Sequence, residues 1–314
     1  MKRFFESFLT FLLITILSFV VISLAPGDFL SQMALNPQIS QDVLEGLRED
    51  FGLNRPVWVQ YLLWLKNFLM GDWSYSLTYQ CPVFSLILSR LGSTIVLMGV
   101  SLLLTWILVI PLALSSAMHR RGAIDRICSL CSLISIAMPV FFLAMCVVFM
   151  ASQTASWPLS GTVRLDYEFL DPLQKMFDRL QHLFLPSLVL VFVSFGGYFR
   201  LMRSYVEEQL KAPYVLALHS RGISEFSILW RHVLKHSLNP MITLAGLQLP
   251  ALLSGAAFVE IIFSWPGLGS LMLDAVMHQD LFVVMANLVL SAVLLLLGNA
   301  LADWGLRKLD PRIG

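Results

Sequence analysis

The stretch Pro213-Tyr-Val-Leu-Ala-Leu-His-Ser-Arg-Gly222, with Ser224-Glu-Phe-Ser-Ile-Leu-Trp-Arg-His-Val-Leu-Lys-His-Ser-Leu-Asn-Pro240 after it, decides how this chain is read. It is a polar island, spanning residues 207–240, between two long apolar runs. Pro213 suits the first turn of a short helix and Gly222 suits its end. Ser224 can cap a second helix, with Glu225 at its positive end. That second helix carries Phe226, Leu229, Val233 and Leu234 toward one side. Arg203 stands four residues before Glu207, where the two can pair. Two capped, basic helices held between membrane-type runs suit the transmission of motion from a soluble partner. An ordinary interfacial helix pair would look the same by physics alone.

The rest of the chain is overwhelmingly apolar. Of 314 residues, 57% are hydrophobic and 13% charged, with mean hydropathy +0.77, against about 25% charged residues in soluble domains. A polytopic membrane protein follows, and long unbroken apolar runs favour helices, which satisfy their own backbone groups in lipid. Runs free of Asp, Glu, Lys and Arg cover residues 7–27, 91–119, 127–163, 181–199, 236–259 and 281–302. At about 20 apolar residues per crossing, they give six spans, near 8–26, 95–117, 127–150, 183–203, 241–263 and 283–304. The fold class is therefore all-α and polytopic. The first run exceeds a signal-peptide core and lacks a good cleavage site at Leu24-Ala-Pro-Gly-Asp28, so it reads as a retained anchor.

Charge sets the expected orientation. Fourteen of the 21 Lys and Arg residues fall on the side of the two termini and the 207–240 loop. Arg48, Arg55, Lys66, Arg90, Arg164, Lys175 and Arg179 fall on the other. The positive-inside rule then puts both termini and the loop in the cytoplasm. Outside, Ser40 can cap a helix bearing Val43, Leu44, Leu47 and Phe51, stopped by Gly52. Pro56 can start another, with Trp58, Tyr61, Leu62, Leu65 and Leu69 on one side, ending at Gly71. These read as a structural cap at the outer interface. The 151–182 segment reads as a second outer loop, and Ser264-Trp-Pro-Gly-Leu-Gly269 as a tight outer turn.

The chain shows no chemistry of its own. It has no G-x-x-x-x-G-K-S/T phosphate loop, no H-E-x-x-H and no G-x-S-x-G. Cys128 and Cys131 form a C-x-x-C inside an apolar run with no second pair, which suits core packing. His232 and His236 have metal-compatible spacing but share a basic helix face. Glu260 lies within an apolar run, so it is a candidate for a pathway or gate as well as for structural hydrogen bonding. Net charge is +1, and nothing calls for nucleic acid.

An ordered series of motifs carries a resemblance along nearly the whole chain: Ala25-Pro-Gly-Asp28, Phe51-Gly-Leu-Asn-Arg-Pro-Val-Trp58 with Gln60-Tyr61, Gly71-Asp72 and Ser76, Pro139 with Phe141-Phe142, Ser220-Arg-Gly222, Arg231-His232, Pro240, Phe263-Ser-Trp-Pro-Gly-Leu-Gly269, and Leu309-Asp-Pro-Arg-Ile313. The chain resembles the B-type permease subunit of the dipeptide, oligopeptide and nickel branch of ATP-binding-cassette transporters. The resemblance implies a type I importer permease fold: an anchor with amphipathic outer helices over 1–92, a five-helix permease domain over 93–304 and a tail over 305–314. It implies the inner, cytoplasmic membrane of a bacterium and half of a path for peptides, with nickel, antimicrobial peptides or polyamines as alternative cargo. Its implied partners are a second permease subunit, two ATPases that consume the ATP and an extracytoplasmic binding protein, with no cofactor bound by this chain. By the same analogy Tyr214, Ala217, Leu218, Ser220, Arg221, Gly222 and Ser224 form the loop that couples to the ATPase. Pro139, Glu260, Gly267 and Gly269 line or gate the path, and Pro139, Pro186, Pro240 and Pro250 allow bends. The sequence departs from the family at the loop itself, where Leu216-Ala217-Leu218 replaces the usual Glu-Ala-Ala. An intramembrane enzyme using Glu260 and a histidine is the rival reading, but the spans offer too few polar groups at one depth.

Overall fold

The computed structural model describes residues 2–24, 34, 40–50, 52, 54–154, 157–251 and 256–309. Ala25-Pro-Gly-Asp28, Phe51, Leu53 and residues 310–313 of the closing motif lie outside the described residues. The chain is helical. Helix α1 spans Lys2–Ser23, α2 Gln41–Asp50 and α3 Val57–Leu69. A two-residue hairpin, β1 Tyr75–Ser76 with antiparallel β2 Cys81–Pro82, leads into α4, Val83–Met118. Then come α5 Ala123–Ala137, α6 Val140–Ser152, α7 Pro172–Leu210, α8 Pro213–Ser220, α9 Glu225–Ser227, a π-helical turn Ile228–Val233, α10 Leu234–Ser237, α11 Asn239–Ala251, α12 Ala257–Ile262, α13 Leu268–Met277 and α14 Leu281–Leu309.

Three described helices, α4, α7 and α14, are each long and apolar enough to cross a membrane. The α5–α6 pair adds a fourth crossing if it is counted as one, but it bends by 107°. The sequence suggested one span near 127–150, with Pro139 able to bend it. Pro139 makes the break. It has no N–H to continue α5, and it pushes Met138 into extended backbone, with φ −88° and ψ 123°, as residues before proline prefer. Pro186, by contrast, is absorbed inside the 39-residue α7. The described residues of the apolar stretch expected to cross at 241–263 lie mostly in α11 and α12.

The core is built where α4 and α7 pack side by side in the same direction. At one end Val109, Ala113 and Ala117 of α4 meet Phe195, Phe199, Met202 and Val206 of α7. Cys128 is buried in that cluster and Cys131 packs against it. At the other end Leu97 meets Leu183, Leu185, Val189 and Leu190. Helix α3 is amphipathic, as its sequence suggests, but the inner face differs in part from the expected one. Trp64 is buried, with Tyr61, Leu65 and Phe68 beside it, whereas Trp58, Leu62 and Leu69 are exposed. The cause is an aromatic ladder that turns α3 toward α1. Ring centroids run from Phe19 to Tyr61 at 5.6 Å, Trp64 to Phe68 at 5.5 Å, Phe68 to Trp73 at 5.0 Å and Trp73 to Phe84 at 5.3 Å. Thr15 of α1 and the Tyr61 hydroxyl share a hydrogen bond of 3.0 Å.

Two acids fasten the hairpin to the far end of the chain. Buried Asp280 accepts from Ser76 Oγ at 2.6 Å and from the Thr78 N–H at 3.2 Å. Asp274 accepts from the Tyr79 hydroxyl. We expect Trp64→Ala to cost about 3–5 kcal/mol, because it empties a buried site between two helices. The measurement is the melting temperature of the purified protein, with limited proteolysis across 57–71. An unchanged melting curve and cleavage pattern would refute the role of the ladder.

Candidate functional site

The loop after α7 is a rigid piece of architecture. Pro213 occupies the first turn of α8 after Ala212 in extended backbone. At the other end Gly222 adopts φ +74°, which an L side chain takes up only at a cost. Its N–H donates to His219 O at 2.9 Å, and the Ile223 N–H donates to Leu218 O at 3.3 Å. These two bonds are a Schellman cap, closing α8 so that the chain can reverse at once. Ser224 Oγ then accepts from the Ser227 N–H at 3.4 Å and opens α9. The π turn over Ile228–Val233 inserts one extra residue into the helix. Leu229 and Val233 are buried as expected, but the inner face is shifted at its start: Ile228 is buried, while Phe226 is 71% exposed. Phe226 instead pairs with Trp230, their ring centroids 6.0 Å apart.

The loop is rooted in the main core. Val215, Ile228, Leu229 and Val233 join the cluster of Phe195, Tyr198, Phe199, Met202 and Val206, with Tyr214 and Leu218 packed against it. The Tyr214 hydroxyl donates to Gln209 Oε1 at 3.1 Å, its ring lies 5.6 Å from that of His236, and burial pushes its phenol pKa upward. Of the residues picked out from sequence, Tyr214 and Leu218 therefore face the protein. Ala217, Ser220, Arg221, Gly222 and Ser224 face outward. Leu216 is 75% exposed beside them.

A charged network braces the same end. Arg203 pairs with Asp125 at 2.8 Å and with Glu207 at 3.2 Å, and Arg120 pairs with Glu207 at 2.9 Å. Buried Asp125 also accepts from Ser116 Oγ at 2.5 Å and from the Arg121 N–H at 2.8 Å. The turn between α4 and α5 is thereby bolted to the last turns of α7, just before α8. Of these contacts the sequence showed only Arg203 with Glu207.

At the opposite end of α4 a second polar knot surrounds Glu260, which is fully buried. Its carboxylate accepts from Thr94 Oγ1 at 2.9 Å and from the Ser270 N–H at 2.8 Å, while the Leu268 N–H donates to Thr94 Oγ1 at 2.8 Å. Glu260 and Thr94 together cap the N-terminus of α13, whose first amides have no partner within the helix. The carboxylate lies where a Cβ on Gly267 would stand, so this position accepts no side chain. Trp265 Nε1 donates to Ser93 O at 3.0 Å, adding a second tie to α4. Glu260, Gly267 and buried Gly269 are thus gathered in one place. Pro139 stands exposed at the elbow of α5 and α6, which the Phe141–Phe258 ring contact, 6.1 Å between centroids, joins to α12. Thr94 went unnoticed in the sequence, since a threonine in an apolar run carries no signal without its distant partner. Among the described residues no three His, Cys, Asp or Glu side chains are close enough together to hold a metal ion.

Comparison with known proteins fits these features. Residues 109–314 match the family described as binding-protein-dependent transport system inner membrane component, and residues 1–101 match its N-terminal companion. The oligopeptide transport system permease protein AppB of Bacillus subtilis is 39% identical over 302 residues, covering 96% of this chain and 94% of the relative. Dipeptide transport system permease proteins DppB are 31% identical in Alkalihalophilus pseudofirmus, over 95% of this chain and 94% of the relative. In Escherichia coli K12 the figure is 30%, over 97% and 95%. The chain belongs to the family of binding-protein-dependent transport system inner membrane components, and is a membrane-integral transport permease.

The Glu260 knot makes a quantitative prediction. Thr94→Val removes a donor from Glu260 and an acceptor from Leu268, and should cost about 1–3 kcal/mol. Glu260→Gln should cost a similar amount. Because both act on one network, the double substitution should cost less than the sum. Thermal melts of the four proteins test this, and strict additivity would argue against the knot.

Proposed function

We propose that this chain forms half of the path of an ATP-driven peptide importer in a bacterial cytoplasmic membrane. Two cytosolic ATPases grip the permease pair and an extracytoplasmic binding protein delivers the peptide. The observation that carries this reading is the build of α8. It presents Leu216, Ala217, Ser220 and Arg221 outward while Val215 is buried in the core that joins α4 to α7. A push on the outer face of such a helix reaches the spans directly. Relatives named for oligopeptide and dipeptide transport, matched along nearly their whole length, favour peptides over nickel or polyamines as cargo.

In this reading six spans cross the membrane, the termini and the 207–240 loop are cytoplasmic, and the second permease is a different chain. Residues 1–92 form the anchor and outer cap, 93–304 the permease domain and 305–314 a tail. ATP acts only on the partner ATPases, and this chain binds no cofactor. Tyr214, Ala217, Leu218, Ser220, Arg221, Gly222 and Ser224 make the coupling loop. With Leu216 in place of the usual acid, its docking rests on apolar contact more than on charge. Pro139, Glu260, Gly267 and Gly269 belong to the path or its gate. Closure of the ATPases tilts the spans between inward-open and outward-open states.

Gly222→Val places a β-branched residue at φ +74°, where it is strained by roughly 1–3 kcal/mol. We expect membrane insertion to persist while substrate-stimulated ATP hydrolysis by the reconstituted complex is lost. Full transport by this variant would sink the coupling assignment.

A further inference from the structure

A pocket of about 400 Å³ opens beside the Glu260 knot, between α4, the hairpin loop and α13. Its walls include Tyr79, Arg90, Ile261, Leu273, Asp274 and Met277. Arg90 lies on α4, one helical turn from Thr94. It is half-buried, and no acid among the described residues comes within ion-pair distance of it. Asp274 is committed elsewhere: it accepts from the Tyr79 hydroxyl, and His278 Nδ1 stands 3.3 Å from its other oxygen. The pocket therefore holds one unpaired guanidinium against an apolar wall of Ile261, Leu273 and Met277, which are 44%, 42% and 70% exposed.

Arg90 precedes the span expected at 95–117 and falls on the outer side by charge bias, where water and an anionic visitor can reach its guanidinium. A guanidinium fork matches a carboxylate in two parallel hydrogen bonds. We propose that this pocket receives the C-terminal carboxylate of a peptide at Arg90, with the last apolar side chain against Leu273 and Met277. The inference rests on the peptide-importer reading and adds to it a binding site within the permease itself. The site spans α4 and α13, the two helices that Thr94 and Glu260 tie together. A bound peptide thus bridges the same pair of elements one turn away from the knot.

The test uses the full complex in nanodiscs, without the binding protein, carrying Met277→Cys on the exposed rim. Reaction of the introduced thiol with a maleimide is followed by mass spectrometry of its own tryptic fragment, so the native cysteines do not interfere. A dipeptide with an apolar C-terminal residue should slow labelling about tenfold, and its C-terminal amide should not, since a charge-assisted pair supplies that much discrimination. Adding Arg90→Gln should abolish the protection, and Arg90→Lys should retain part of it. Equal protection by acid and amide, no protection by either, or protection surviving Arg90→Gln would overturn the proposal. Protection that requires anionic lipid in the disc and ignores peptide would overturn it in favour of a lipid headgroup. The underlying reading fails separately, if the complete wild-type system with its binding protein moves no peptide at all.

Discussion

Burial of Val215, Ile228, Leu229 and Val233 against the second half of α7 makes the loop a mechanical part of the spans. Each such side chain contributes about 1.5–3 kcal/mol when fully removed from water, so four of them hold the loop far more firmly than thermal energy can loosen it. The Schellman cap at Gly222 and the π turn are the local means by which this burial is achieved. The cap reverses the chain without lengthening it, and the extra residue in the π turn aims Ile228 and Leu229 inward. Arg203, Asp125, Glu207 and Arg120 complete the brace on the polar side.

The two ends of α4 are held by different physics. Where the loop sits, the contacts are mainly apolar and contiguous, and they suit parts that must move together. At the other end, Thr94, Glu260 and the capped start of α13 are joined by a few buried hydrogen bonds, and the hairpin hangs from Asp280 and Asp274. A small number of directional bonds can be exchanged for others at little net cost, which fits an end that opens and closes. Apolar burial has no such alternative partners. In the proposed mechanism the first end serves as a stiff lever and the second as a latch.

Much of this was legible in the sequence. The apolar runs showed the helical membrane class, and Pro213, Gly222 and Ser224 gave the boundaries of the short helices to within a residue. Their signals are local, written in the residues that make the turn. The bend at Pro139 could be read as a break but not as an angle of 107°, because the angle depends on what α6 packs against. The inner faces of α3 and of the helix after Ser224 were legible only in part: Tyr61, Leu65, Leu229 and Val233 turn inward as expected, while Trp58, Leu62, Leu69 and Phe226 do not. For α3 the deciding contact is with Phe19, and for the second helix it is a single inserted residue that leaves no compositional trace. Thr94 with Glu260 and Ser76 with Asp280 are separated by 166 and 204 residues, and no periodicity links them. The family motifs marked Glu260's neighbourhood through Trp265, Gly267 and Gly269. They did not show that Gly267 is small because a carboxylate occupies its side-chain position.

In the proposed mechanism force enters through α8 and travels by its buried root. The most direct measurement is the number of peptides transported per ATP hydrolysed by the reconstituted complex carrying Leu229→Ala. That change opens a cavity under the loop, at a cost of about 2–5 kcal/mol, without touching the outward face of α8. The account predicts that the ATPases still bind and hydrolyse ATP while transport per ATP falls several-fold. A wild-type transport ratio, with assembly intact and the cavity confirmed by lowered thermal stability, would contradict it.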